Sequence, residues 1–158
     1  MQSQQTAKLD KYIIFQVASY WYVILVSEIL KIVNCPSPKD GGMIDLGMVQ
    51  LGPHTVRLLN LHQIFEITDV EIPAHPFLIV LQSPNHGLWG ITLDGTPDLI
   101  ELTPETLNPV SLTGELTTQS PCISHVGVLA GATGNRTLLR LDVKALIQRH
   151  GEPQLASV

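Results

Sequence analysis

The sequence predicts a mainly β protein built from two related units, because one pattern occurs twice. Residues 47–61 and 127–141 each contain a β-rich run, a glycine-centred turn and a second run that ends in Leu-Leu-x-Leu. A weaker repeat precedes each copy, since apolar runs at 13–17 and 77–81 are each followed by another β-rich run. The doubled pattern indicates a duplicated small β unit.

Length and charge constrain how the two units are arranged. The chain has 158 residues, so each unit has about 70 to 80 residues, near the lower limit for independent stability. We therefore expect one domain over residues 11–150, with a disordered leader at 1–10 and a frayed tail at 151–158. Charged residues make up 15% of the chain, against about 25% in an average soluble domain, so much of the surface is suited to interfaces.

The first unit is expected to begin with a hairpin. The runs at 13–17 and 21–26 are rich in β-branched and aromatic residues. A short helical turn over 27–32 follows, and the prolines and glycines of 34–42 predict a loop. The first copy of the repeat comes next, and it ends in a short helical segment at 61–65.

The second unit is expected to follow the same plan. After a connector at 68–76, the runs at 77–81 and 87–93 predict a second hairpin. A strand at 99–102 then leads into one helical turn, because Pro104 favours the first position of a helix.

The end of the second unit carries the clearest helix signal. Asp142 is placed to cap the N-terminus, Val143, Leu146 and Ile147 share one face, and Gly151 ends the pattern. This sequence predicts an amphipathic helix directly after the second repeat copy.

The location and the class of partner follow from charge and hydropathy. The first residues lack the basic and apolar regions of a signal peptide, so we expect a cytoplasmic protein. Residues 12–33 raise the alternative of a membrane span, but Glu28 and Lys31 interrupt the run, and a charge at mid-span costs about 2.5 to 3.5 kcal/mol. The net charge of −5 and the scattered basic residues argue against nucleic acid as a partner.

No residue pattern predicts catalysis, a cofactor or a metal. Cys35 and Cys122 are too far apart in sequence to indicate a zinc site. Asp94, Asp98 and Glu101 are more simply explained as a solvated strand edge than as a catalytic pair. The histidines lack the spacing of metal ligands; they are His54, His62, His75, His86, His125 and His150. We therefore expect a protein that is not an enzyme.

Three segments together resemble the CheW-like domain of bacterial chemotaxis adaptors. Residues 22–32 are similar to the family's strand that enters a short helix. Residues 47–61 match the length of its Gly-Val-Ile-Asn-Leu-Arg-Gly…Pro-Val-Ile-Asp-Leu signature, and residues 90–102 resemble its Gly-x-Val-Val-Asp-x-Val-x-Glu-Val segment. The resemblance extends over roughly residues 11–148.

The resemblance implies a fold and a role. The fold is two interlocked five-stranded, SH3-like barrels with a short C-terminal helix. The role is that of an adaptor that joins the tip of a methyl-accepting chemoreceptor to a CheA-type histidine kinase. Carried over by position, a receptor-facing groove falls on Val26, Ile29 and Leu30, and a kinase-facing surface falls on residues 47–57.

The sequence departs from the family signature at several of these positions. Gln50 replaces Asn, Gly52 replaces Arg, Pro53 replaces Gly and Arg57 replaces Pro, while Lys31 stands where an acidic residue is common. These changes move positive charge on the expected interface, so they alter electrostatic matching to a partner. They favour a divergent adaptor in a chemotaxis-like or pilus-motility system. The alternative is a stand-alone regulatory or ligand-binding barrel that has kept the fold and lost the kinase.

Overall fold

Twelve strands and two short α-helices form the regular structure of the described residues in a computed structural model of the protein. The residues that the structure describes are 8–17, 19–35, 42–43, 47–65, 77–83, 87–93, 95–110 and 122–150. Residues 1–7 of the expected leader (1–10), the connector at 68–76 and the tail from Gly151 onwards lie outside them.

The first sheet combines strands from both ends of the chain. Its order is β10-β11-β12-β2-β1-β9. The strands are β1 (Asp10–Val17), β2 (Tyr20–Leu25), β9 (Asp98–Leu102), β10 (Leu107–Pro109), β11 (Ile123–Gly131) and β12 (Gly134–Leu141).

The second sheet is made from the middle of the chain, in the order β4-β5-β6-β8-β7-β3. The strands are β3 (Lys31–Asn34), β4 (Gly42–Met43), β5 (Met48–Leu51), β6 (His54–Leu59), β7 (Phe77–Ser83) and β8 (Gly87–Leu93). Each sheet curls into a half-barrel.

The two sheets have the same plan, but each one is assembled from both sequence repeats. In the first sheet, β12 runs parallel to β2, and in the second sheet β6 runs parallel to β8. Strand β9 of the second repeat pairs with β1, and β3 of the first repeat pairs with β7. The hairpin at the start of each repeat therefore belongs to the sheet formed by the later strands of the other repeat.

The register of the strands confirms the repeat residue by residue. Val49 pairs with Val56 in the β5–β6 hairpin. Leu129 pairs with Arg136 in the β11–β12 hairpin, so both positions are shifted by eighty residues. The mainly β fold of two joined barrel-like sheets is confirmed. Each sheet has six strands among the described residues, one more than expected, because β10 adds a short strand at one edge of the first sheet and β4 does so in the second.

Three hydrophobic clusters fill the described part of the interior. A central cluster lies between the sheets and includes Phe15 and Tyr22 from the first sheet and Ile79 and Ile91 from the second. The other two clusters fill the individual half-barrels. One is formed by Tyr12, Ile14, Val23, Leu102, Leu107 and Leu138, and the other by Val49, Val56, Leu78 and Val80.

One α-helix follows the second strand of each repeat hairpin. The two helices are α1 (Leu61–Ile64) and α2 (Val143–His150). The carboxylate of Asp142 accepts a hydrogen bond of 3.1 Å from the Ala145 backbone N–H, which confirms the predicted N-cap. Val143, Leu146 and Ile147 are buried in the central cluster, as their shared face predicts.

Two boundaries differ from the sequence-based expectation. The helical turn expected over 27–32 is a single 3₁₀ turn, Val26–Glu28, because Lys31 already begins β3 and pairs with Val80. Asp10, which we placed in the leader, is the first residue of β1 and pairs with Leu102 of β9.

Candidate protein-docking surface

A groove of about 540 Å³ lies where the 3₁₀ turn, the end of β7 and helix α2 meet. We call it the junction groove. Its lining residues are Ser27, Glu28, Ile29, Leu30, Gln82, Ser83, Val143, Lys144, Ile147 and Gln148. The floor is apolar and the rim is polar, which is the composition of a surface that binds an amphipathic helix.

The residues predicted for a receptor-facing groove differ in their exposure. Val26 is 38% exposed and Leu30 is 50% exposed, which is high for side chains of this size. Ile29 is half-buried and packs against the central cluster. The Leu30 backbone N–H donates a 2.8 Å hydrogen bond to Val80 O, so the backbone of this segment is fixed to the sheet. Lys31 is exposed at the start of β3.

The wall of the junction groove carries a perturbed carboxylate. Partial burial raises the pKa of Glu28 above its ordinary value, the charge of Arg140 opposes this rise, and the charge of Asp142 adds to it. A charged group held in this way makes the groove less favourable for a partner that is itself acidic.

Replacing Glu28 with Gln is expected to increase the free energy of unfolding at neutral pH but not in acid. The raised folded-state pKa means that the native protein binds the proton more tightly than the unfolded chain does. This contribution to stability is fully present below the ordinary pKa of 4.5 and is lost as pH rises through the folded-state value. Urea unfolding of both proteins, from below pH 4.5 to neutral pH, measures the difference in their free energies of unfolding. The variant Glu101→Gln, on the exposed edge strand β9, controls for net charge, and a difference that stays constant with pH would contradict the expectation.

A second groove, of about 310 Å³, lies between the segment around Leu30 and the β5–β6 hairpin. We call it the turn groove. It is lined by Leu30, Lys31, Leu51, His54, Gln82, Gly87 and Leu88. Leu30 and Gln82 line both grooves. The structure thus brings the segment around Leu30 next to the β5–β6 hairpin, although about twenty residues of sequence separate them.

The β5–β6 turn is braced by one side chain. Gly52 has a φ of +58°, which a residue without a Cβ adopts at no steric cost, and Pro53 follows it on the exposed turn. The Gln50 amide donates a 3.1 Å hydrogen bond to Gly52 O, and the Thr55 hydroxyl donates a 2.8 Å hydrogen bond to Gln50 Oε1. Gln50 therefore stabilises the turn in which Gly52 stands where the family signature has an arginine.

Arg57 lies further along β6 and is oriented by an indole ring. Its guanidinium carbon is 5.4 Å from the centroid of the Trp89 ring, its neighbour in the parallel β6–β8 pair. Trp89 is buried in the central cluster, whereas Arg57 is exposed. The cation is thus held at the surface by stacking on the core, as cation–π pairs allow.

Sequence reasoning missed the wall that α2 contributes. The shared apolar face predicts Val143 and Ile147 for the core, and they do lie in it, but they also line the junction groove together with Lys144 and Gln148. The sequence did contain a signal for this wall. Lys144 and Gln148 each follow one of these apolar residues, which places a polar edge beside the apolar face of the helix.

Among the described residues, no group of three or more His, Cys, Asp or Glu side chains is arranged to hold a metal ion. None of the helices in the described ranges has the length and apolar character that crossing a bilayer requires.

Comparisons with known proteins identify the family and the fold. The family described as the CheW-like domain matches residues 11–151. The crystal structure of the scaffolding protein TtCheW from Thermoanaerobacter tengcongensis is similar, with a TM-score of 0.71, 13% sequence identity and 98% of each chain covered. No curated protein sequence matches the chain significantly. Because the family match spans most of the sequence, the chain belongs to the CheW-like domain family.

Proposed function

We propose that this protein is a non-catalytic adaptor that couples a chemoreceptor to a CheA-type histidine kinase, in a chemotaxis-like or pilus-motility system. Membership of the CheW-like family supports a chemotaxis adaptor role. The observation that carries the finer proposal is the pair of adjoining grooves, which share Leu30 and Gln82. Two partners bound there would lie side by side. The adaptor would act in the cytoplasm, where the kinase and the receptor tip meet.

The junction groove is the proposed site for the receptor tip. A receptor tip of this class is helical, and an amphipathic helix binds by placing its apolar face in a groove with apolar anchors and a polar rim. Leu30 supplies exposed apolar contact area in the groove, and Lys144 with Gln148 supplies the rim on α2. Val26 is exposed beside the groove, next to Ser27, but does not line it. Burial of a half-exposed Leu contributes about 1 kcal/mol or more to such a contact.

The β5–β6 hairpin is the proposed site for the kinase. Its turn is fixed by Gln50, and Arg57 provides the fixed positive charge of this surface. An arginine at this place favours a kinase that has a carboxylate opposite it, because an unpaired interfacial charge is penalised. Pro53 at the turn adds a rigid, uncharged contact without a backbone donor.

The variant Leu30→Glu tests the shared wall of the two grooves. It is expected to weaken binding of both a receptor cytoplasmic hairpin and the kinase regulatory domain by about tenfold to a hundredfold, because a carboxylate would be buried against apolar surface. Leu30 is half-exposed, so the thermal stability should change little. Isothermal titration with a receptor cytoplasmic hairpin and with the regulatory domain of a CheA-type kinase measures the two affinities.

Leu99→Glu is the matched control. Leu99 is 55% exposed on β9 of the other sheet and lines neither groove, so its substitution should leave both affinities unchanged. Equal effects of the two variants would contradict the proposed surface. Failure of the unsubstituted protein to bind either partner would instead favour the alternative of a stand-alone regulatory barrel.

A further inference from the structure

The turn groove opens over the apolar interior of the second half-barrel. Three cross-strand pairs at its wall each join a polar lining residue to an apolar residue of this interior. The pairs are Lys31 with Val80, Gln82 with Leu88, and His54 with Leu51. Directly paired residues point to the same side of a sheet, so the three polar side chains lie on the face that carries the apolar cluster.

The base of the turn groove is apolar. Leu51 and Leu88 are half-buried and pack against the cluster of the second half-barrel. Leu30 lies beside them and is 50% exposed. The chain itself leaves this apolar area partly uncovered, and an apolar side chain of a partner would bury it.

The rim of the turn groove favours a carboxylate. Lys31 and His54 are both exposed there, and they supply an ammonium group and a ring N–H donor. Among the described residues that line this groove none is acidic, although the chain has 14 Asp and Glu residues against 9 Lys and Arg. The junction groove differs, because Glu28 lines it. The two adjoining grooves therefore differ in the charge that they offer to a partner.

We infer that the turn groove binds a protein segment in which apolar residues are flanked by carboxylates, and that Lys31 determines this selectivity. An apolar side chain of the segment covers the leucines of the base, and a carboxylate lies against the Lys31 ammonium group. The inference rests on the proposed function, because it assigns the segment to the kinase that binds at the β5–β6 hairpin. Lys31 stands where an acidic residue is common in the family, so this selectivity belongs to this chain.

A peptide probe tests the turn groove without the kinase. The probe is the blocked peptide Glu-Leu-Leu-Asp, compared with its amide counterpart Gln-Leu-Leu-Asn and with the basic peptide Lys-Leu-Leu-Lys. At millimolar concentration, we expect the acidic peptide to shift the methyl NMR signals of Leu51 and Leu88. It should bind about tenfold more tightly than the amide peptide, and the basic peptide should leave these signals in place.

Lys31→Glu should weaken binding of the acidic peptide by about tenfold or more, because it replaces attraction with repulsion. Lys11→Glu is the matched control. Lys11 is an exposed lysine on β1 of the first sheet, it lines neither groove, and its substitution should leave the affinity unchanged. Absence of any shift, equal response to the three peptides, or equal loss in the two variants would overturn the inference.

Isothermal titration with the regulatory domain of a CheA-type kinase separates this inference from the adaptor role. Where the unsubstituted chain binds the domain, Lys31→Glu should weaken that binding by the same factor as it weakens peptide binding, and Lys11→Glu should not. Binding of the acidic peptide but of no such kinase domain would contradict the adaptor role alone. Kinase binding that Lys31→Glu leaves unchanged would contradict the inference alone.

Discussion

Each half of the chain, expressed separately as residues 1–70 or 71–158, is expected to be unfolded. Without β7 and β8, the second sheet loses the two strands between β3 and β6. The β1–β2 hairpin likewise loses its neighbours β9 and β12, and an isolated hairpin is marginally stable at best in water. The central cluster also draws on both halves. A ¹⁵N correlation spectrum of each half should therefore lack dispersion.

Mixing the two halves should restore the fold, because the strand pairs that are lost join one half to the other. The mixture should show the dispersed spectrum of the intact chain. A dispersed spectrum from residues 1–70 alone would contradict the interlocked arrangement, since it would mean that the β1–β2 hairpin packs against the later strands of its own repeat.

Gly127→Ala should cause a large loss of stability although it adds only one methyl group. A Cβ at this position of β11 would overlap the backbone oxygen of Thr106, and it would lie 2.9 Å from Cδ2 of Leu107. The backbone of the neighbouring segment has to move, and such overpacking costs about 2 to 3 kcal/mol. Urea unfolding is expected to show this decrease in the free energy of unfolding.

Gly95→Ala is the control for this substitution. A Cβ at Gly95 meets nothing within 4 Å, and its φ is not in the left-handed region. Its unfolding free energy should remain within about 0.5 kcal/mol of the unsubstituted protein, or rise slightly. An equal loss in both variants would show that glycine flexibility, not the close approach of Thr106, matters at position 127.

The two copies of the repeat show which parts of the fold could be predicted from sequence. The shared Leu-Leu-x-Leu pattern correctly predicted two equivalent hairpins, because alternation of side chains is a local property. The glycines that begin the copies look equivalent in sequence but act differently. Gly47 has a φ of +75° and open space around it, whereas Gly127 permits a close backbone approach. That difference depends on the neighbouring strand and is absent from the local sequence.

The exchange of hairpins between the repeats could not be predicted from the residues alone. Phe15 and Ile79 lie at equivalent places in the two hairpins, and both are buried in the central cluster. The local sequence pattern of each hairpin is therefore compatible with packing against the later strands of either repeat. Which set of later strands each hairpin joins depends on pairing between residues far apart in sequence. The interlocked arrangement was therefore predicted only from the resemblance to a family.

Only part of the candidate site could be predicted, because the rest also depends on how elements far apart in sequence pack. The exposed residue Leu30 and the turn at Gly52 were chosen by resemblance, and the structure places them in adjoining regions of the surface. The contribution of α2 and Gln82 depends on how distant elements pack. Ile29, chosen with Leu30, is largely committed to the core, so Leu30 is the sharper position for testing the groove.

The most direct test of the adaptor account is whether this protein holds a kinase and a receptor together. Sedimentation velocity of the chain with the regulatory domain of a CheA-type kinase and a receptor cytoplasmic hairpin measures this. We expect one complex that contains all three components, with the kinase domain and the receptor co-sedimenting only when the chain is present. Two binary complexes that exclude each other, or no complex with either partner, would contradict the account.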